Sequence, residues 1–297
     1  MEETCNYYTD LIRFECNHTS SHMENYSLHC HNFYEFYYFL NGTVEYLVEG
    51  VTYYPTPNSL LLLPPGVFHG VKVYGDVPYK RYALHFLPEA IPLEYRKLLS
   101  QIFPILDKNN EKQIYYENLE EFGFDSFFQN FITFSKMSKD LQQLALQPYL
   151  CSLLLQIIYM KECRNETIHS SENLSLVEQI IHYLNENLSS PIYLEDLSKR
   201  FFISKNQINR IFQKATGTTM KEYLIYKRVI HAQQLLTNGY SAGEACSASG
   251  FLDYSSFYRA YKKITGHSPA QDRNILSFTS TPKPITMVSS LQDKELF

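Results

Sequence analysis

The sequence predicts an α+β protein, with a strand-rich N-terminal half and an all-α C-terminal half built around two helix-turn-helix units. Three observations predict it. Residues 27 to 87 alternate side-chain character between closely spaced turn signals, which is the period of strands. From Pro88 onward apolar residues return at three- and four-residue spacing, the period of helices. Within that helical region a single unit is used twice, since Arg210-Ile-Phe-Gln-Lys-Ala-Thr-Gly217 returns as Arg259-Ala-Tyr-Lys-Lys-Ile-Thr-Gly266 at an offset of 49 residues. The same offset carries Glu195 to Glu244, Ser198 to Ser247 and Phe202 to Phe251.

A chain of 297 residues exceeds the usual single domain and can bury two cores. The predicted division is a strand-rich domain with following helices over 1–163, a polar linker over 164–173, a helical domain over 174–273 and a loose, Pro- and Ser-rich tail over 274–297. The net charge of −5 argues against nucleic acid only until it is partitioned. Residues 192–273 hold 12 Lys and Arg against 6 Asp and Glu, and the remainder holds 14 against 25. The positive charge sits with the repeat. Six cysteines with no Cys-x-x-Cys pair fit a reducing cytoplasm. A membrane span is not expected, because no unbroken apolar run reaches ~18 residues, and the polar start lacks a secretory signal's layout.

Taken in order, the first strand places His29, His31, Phe33, Glu35 and Tyr37 on one face, extended by Phe39, so that this face lines a pocket or a barrel interior. Asn41-Gly42 and Glu49-Gly50 are hairpin turns, and Leu60-Leu-Leu-Leu63 is a buried strand stopped by Pro64-Pro65. His85, on the strand around Arg81 to Phe86, reads as a core histidine that could also point inward. Helices are expected over 94–103, 119–135 and 139–163. The last is apolar around most of its circumference and must bury two sides, against either its own domain or a second copy. An amphipathic helix over 174–187, with Val177, Ile180, Ile181 and Leu184 inward, opens the C-terminal half.

Each repeat unit reads as two short helices with a tight turn. Ser204 and Asp253 are the expected N-caps of the second helices, and Gly217 and Gly266 end them. Between the units, Met220 to Leu236 holds no Gly or Pro, which makes it one connecting helix of about 25 Å. Such a rod could set two readers near one duplex turn of about 34 Å apart. The outward faces carry Lys205, Asn206, Gln207, Asn209 and Arg210 in the first unit, and Tyr254, Ser255, Tyr258, Arg259 and Lys262 in the second. Asn and Arg can pair with base edges in the major groove, while Lys mostly neutralises phosphate. A solvated polar face is the plainer alternative. No Gly-rich phosphate loop, Gly-x-Ser-x-Gly or His-Glu-x-x-His occurs, so none of these catalytic layouts competes.

The C-terminal region resembles the DNA-binding domain of AraC/XylS-type transcription regulators. The marks are Leu194-Glu-Asp-Leu197, Ser204, the first repeat octet, Tyr223, Arg228, Ala232, Leu235-Leu236, Glu244, Gly250-Phe251 and Phe257 through Pro269. Two departures, Ala245-Cys246 and Asp272, are expected to loosen the second unit. The stretch around His29-Cys-His31, Glu35 and Gly42, with Pro64-Pro-Gly66-Val-Phe-His69, resembles the cupin motifs, although Asn58 and Val73 depart from them. That resemblance implies a jelly-roll β-barrel with flanking helices. It also implies a ligand pocket at His29, His31, Glu35, Tyr37 and His69, and in metal-binding cupins His29, His31, Glu35 and His69 would be the ligands of a divalent transition metal. A metal-free polar pocket is the competing expectation, with no cofactor required. Together the resemblances imply a non-enzymatic regulator that binds double-stranded promoter DNA under control of a small molecule, a sugar or sugar derivative. They further imply a homodimer joined through the 139–163 helix, and contact with RNA polymerase if the protein activates. The alternative is a metal-dependent cupin enzyme, an isomerase or dioxygenase, fused to a DNA-binding module.

Overall fold

A computed structural model describes residues 5–19, 28–103, 114–164 and 175–272. The expected linker, except for Arg164, and the expected tail lie outside the described residues.

The N-terminal half contains strands β1 (Cys5–Tyr8), β2 (Ile12–Thr19), β3 (Tyr34–Asn41), β4 (Val44–Val48), β5 (Val51–Tyr53), β6 (Ser59–Leu63), β7 (His69–Val73) and β8 (Tyr79–Phe86). Single helical turns at Pro88–Ala90 and Leu93–Leu98 lead into α1 (Leu99–Ile102), and strand β9 (Tyr115–Tyr116) follows. After a turn at Glu120–Phe122 come α2 (Phe124–Ser135) and the long α3 (Lys139–Cys163).

Among the described residues the expected closed jelly-roll barrel is not formed, and the cupin description fails with it. The strands form two separate antiparallel sheets, a six-stranded one in the order β1-β2-β8-β3-β6-β9 and a three-stranded one in the order β5-β4-β7. Closure would require the edge strands to pair, and among the described residues one isolated bridge, His29 to His69, lies outside the ladders. Strands β4, β5 and β7 spend their hydrogen bonds on one another.

Alternation along β3 then decides which core each side chain enters. Phe36 and Tyr38 join Phe14, Leu60, Leu62, Tyr82, Leu84 and Phe86 on the face packed against α2 and α3. Tyr37 and Phe39 join Val44, Tyr46, Leu61 and Leu63 between the two sheets. Both faces of β6 are therefore dry, which is why Leu60 to Leu63 can be apolar without alternation.

Helix α3 buries Leu146, Leu150, Leu153, Leu154, Ile157 and Met160 but leaves Leu141, Leu144, Leu155 and Tyr159 between 55% and 72% exposed. By length and composition alone it reaches the threshold for a membrane-crossing helix, a threshold that a buried core helix also reaches. Its average hydropathy is high although polar residues interrupt it.

The helical half consists of α4 (Leu176–Glu186), α5 (Leu194–Phe201), α6 (Lys205–Thr216), α7 (Met220–Thr237), α8 (Ala242–Ala248), α9 (Tyr254–Thr265) and α10 (Pro269–Asp272). Ser175, Thr219 and Ser241 form reciprocal capping boxes with Glu178, Glu222 and Glu244, satisfying two orphan amides at each start. Helix α7 is the hub: Tyr223, Val229, Ile230, Ala232 and Leu236 share one core with Phe212 of α6 and with Phe257 and Tyr261 of α9. That core continues into the N-terminal half through Leu28, Cys30, Leu47 and Phe68. The expected loosening at Asp272 does not occur. Its carboxylate is buried and accepts hydrogen bonds from Tyr261 Oη at 2.5 Å and Gln233 Nε2 at 3.0 Å, with His267 Nδ1 2.7 Å away.

Candidate functional site

The two second helices of the repeat present matched surfaces. Ser204 Oγ accepts from the Gln207 amide at 3.2 Å and starts α6, while Asp253 Oδ1 accepts from the Ser256 amide at 2.8 Å and starts α9. Both end on glycines with positive φ, 73° at Gly217 and 90° at Gly266. Ile208 and Phe212 anchor the inner side of α6, and Phe257, Tyr261 and Ile264 that of α9. Lys205, Asn206, Gln207, Asn209, Arg210, Tyr254, Ser255, Tyr258, Arg259 and Lys262 are all exposed. Lys205 pairs with Glu195, and Arg259 Nη2 donates to Ser256 Oγ at 3.5 Å. A face of Asn, Gln, Arg and Tyr on a capped helix with an apolar back can enter a major groove.

A second constellation is buried in the N-terminal half. The oxygen Glu35 Oε2 lies 3.2 Å from His31 Nε2, 3.1 Å from His69 Nε2 and 3.5 Å from His85 Nε2. His29 packs on His69 with ring centroids 4.4 Å apart. Burial alone would raise the Glu35 carboxyl, but the charge of His85 and the three imidazole contacts outweigh it and hold the group well below its usual range. Burial pulls His31 down to about 4, so this imidazole is neutral at pH 7 and can donate one N–H to Glu35. His69 Nδ1 lies 2.9 Å from the Val67 carbonyl and therefore carries the proton.

That arrangement suits a cation. His31 Nδ1, His69 Nε2 and His85 Nδ1 are buried without a hydrogen-bond partner, and a backbone carbonyl fixing the far nitrogen is the usual support of a metal-ligating histidine. Two groups can chelate a divalent metal, His29 with His31 and His69, and His31 with Glu35 and His85. The four residues expected as one ligand set thus fall into two sets that share His31. His85, read from sequence as a core histidine, completes the second. Its signal was available in principle, since His85 pairs with Glu35 in the β3 to β8 register. Tyr37 places its hydroxyl 2.9 Å from that of Tyr79 between the sheets, and its ring lies 4.4 Å from Tyr46, which in turn stacks along His69 at 6.1 Å.

A cleft of about 770 Å³ opens between the two halves, lined among others by Pro64, Arg96, Phe103, Lys227 and His231. Beside it lies a cluster that the sequence did not announce. Glu49 is buried and accepts from Lys227 Nζ at 2.8 Å, Asn185 Nδ2 at 3.0 Å, the Phe68 amide at 2.6 Å and the Tyr223 hydroxyl.

Comparison with known proteins places both halves. Residues 11–116 match the family described as the AraC-like ligand binding domain, and residues 197–275 match a helix-turn-helix domain family. Each half thus resembles one part of an AraC-type regulator. Among the relatives, the uncharacterized HTH-type transcriptional regulator YijO of Escherichia coli is 34% identical over 119 residues, 39% of this chain and 42% of that protein. The melibiose operon regulatory protein of Escherichia coli is 29% identical over 100 residues, 33% of each chain. A crystal structure of the DNA-binding domain of AdpA in complex with a target DNA is 30% identical and covers 32% of this chain and 86% of that one, with a TM-score of 0.31. The chain thus spans about two fifths or less of the length of these curated relatives. These matches to regulator families support a non-enzymatic protein.

Proposed function

We propose that this chain regulates transcription by binding double-stranded promoter DNA through α6 and α9, under control of a small molecule held in its N-terminal half. The observation that carries the reading is the repeated pair of capped helices, each with a buried apolar back and an exposed face of hydrogen-bonding side chains. Asn206, Gln207, Asn209, Arg210, Ser255, Tyr258 and Arg259 read base edges, and Lys205, Tyr254 and Lys262 meet the backbone. Helix α7 has 18 residues, about 27 Å of rod, enough to space the readers for successive major grooves.

Replacing Arg210 or Arg259 with Ala should weaken binding to the preferred site by about 1 to 3 kcal/mol and relax the preference at one base position. Binding-site selection followed by fluorescence anisotropy measures both. An equal loss on all sequences would assign that arginine to phosphate, and no loss at either arginine would overturn the reading.

The effector site we propose is formed by His29, His31, Glu35, Tyr37 and His69, with a sugar or sugar derivative as its ligand class, in keeping with the operon named for the melibiose regulator. The side chains of His31, Glu35 and His69 are at most 5% exposed, so a ligand reaches them only if the surrounding segments move. A divalent metal at the same cluster would supply a fixed positive charge to orient hydroxyl oxygens. The proposed domain boundaries fall at 163 and 174, with Leu28, Cys30, Leu47 and Phe68 of the N-terminal half packed into the helical core.

The chain acts as a homodimer joined through α3. A second copy is the occupant because Leu141, Leu144, Leu155 and Tyr159 form one apolar stripe along a helix whose opposite side is already used by its own core. Leu144→Glu with Leu155→Glu should weaken self-association by at least about 100-fold, since two buried leucines at about 1.5 to 3 kcal/mol each sum to about 3 to 6 kcal/mol. Sedimentation equilibrium reads this, and an unchanged dimer would place the interface elsewhere.

A further inference from the structure

We propose that Glu49 is the positioning residue through which changes at the histidine cluster reach the recognition helices, by latching the two halves in one arrangement. The proposal rests on the regulator reading above and names its internal route.

Glu49 and Gly50 form the β4 to β5 turn with φ of 47° and 84°. A left-handed backbone is unfavourable for a glutamate, and such strain persists where surrounding contacts over-determine it. Here the contacts come from both halves. On the N-terminal side, the Phe68 amide donates to Glu49 Oε1 and the Glu49 amide donates to the Phe68 carbonyl at 2.8 Å. On the helical side, Asn185 of α4 and Tyr223 and Lys227 of α7 donate to the same carboxylate. Lys227 Nζ also donates to the Gly66 carbonyl at 2.6 Å. The turn is seated closely, since a Cβ on Gly50 would come within 2.5 Å of Ile181 Cδ1. Burial opposes the charge on Glu49, yet Lys227 and the hydrogen bonds hold its carboxyl below the usual range.

The route to the cluster is one peptide long. Phe68, bonded twice to Glu49, is covalently followed by His69, whose imidazole faces Glu35, and Val48 pairs with His69 in the β4 to β7 ladder. The route to the readers is α7. The Tyr223 ring meets Phe68 at 5.1 Å on one side and Phe212 of α6 at 5.5 Å on the other. A shift of His69 cannot leave Phe68 in place without breaking ladder bonds, and a shift of Phe68 removes a donor from a buried carboxylate. Such a carboxylate tolerates two discrete seatings, latched or solvated, rather than a gradual slide.

The test is a double-mutant cycle in the full chain, because coupled residues depart from additivity and independent ones do not. His69→Gln alone should raise amide hydrogen exchange across residues 220–231 several-fold. In an E49Q background, where the latch is already weakened, the same substitution should change exchange there by less than half as much. Lys227→Met provides a second background should E49Q fold poorly. Additive effects in both backgrounds, or no response of α7 to His69→Gln in the otherwise native chain, would overturn the proposal. The exchange measurement involves no DNA, so coupling in a chain that shows no sequence preference for DNA would sink the regulator reading and leave the latch standing.

Discussion

Gly250→Val should unfold the second helix-turn-helix unit, costing about 3 to 5 kcal/mol from two additive causes. Gly250 has φ +87°, a conformation that a β-branched residue resists, and a Cβ there would collide with the Leu188 carbonyl oxygen and lie 3.0 Å from Arg228 Nε. Neither neighbour can retreat cheaply. The Leu188 oxygen accepts from Arg228 Nε at 3.0 Å, and Arg228 Nη2 donates to the Ser190 carbonyl at 2.8 Å. These bonds tie the loop after α4 to α7. Circular dichroism on heating should show a lowered first transition, with loss of sequence-selective DNA binding. Gly243→Ala is the matched control, because nothing lies within 4 Å of a Cβ added there and alanine is favoured by about 0.5 to 1 kcal/mol inside a helix. A Gly250→Val chain as stable as the control would disprove the close approach.

Acid should destabilise the N-terminal half between about pH 6.5 and pH 4. His31 is drawn down to about 4 by burial, whereas an unfolded histidine titrates near 6.5. Between these values the unfolded chain binds the extra proton and the folded chain does not, so stability falls as pH falls, by about 3 kcal/mol across the window. Glu35 acts in the same direction at the acid end, since its carboxyl is held low when folded and is protonated first in the unfolded chain. Urea denaturation at a series of pH values measures the slope. In His31→Gln the slope between pH 5 and 6.5 should flatten. An unchanged slope in that variant would show that His31 is not the group responsible.

The recognition helices were legible because everything that makes them is local. Periodicity places Ile208 and Phe212 inward, Ser204 and Asp253 supply caps three residues from the amides they satisfy, and the octet repeated at 49 residues marks equivalent units. The histidine cluster was half legible. His29, His31 and Glu35 lie within one stretch, but His85 joins them only through the pairing of β3 with β8. The motif resemblance suggested a barrel for the same reason it suggested a metal set. It registers which residues lie along a strand, whereas closure depends on which edges meet.

By itself the sequence determined the two repeated capped helices α6 and α9, the rod between them, the positive charge gathered around them and the apolar excess of α3. Each is written within a window of a few turns, where spacing and capping act directly on the backbone. Only the tertiary structure decided that the sheets stay open, that His85 rather than Tyr37 meets Glu35, and that Glu49 finds Asn185, Tyr223 and Lys227, which lie 136, 174 and 178 residues away. A turn glutamate looks like any other solvated charge until packing removes its water. What it gains in exchange comes from side chains whose approach no local pattern encodes.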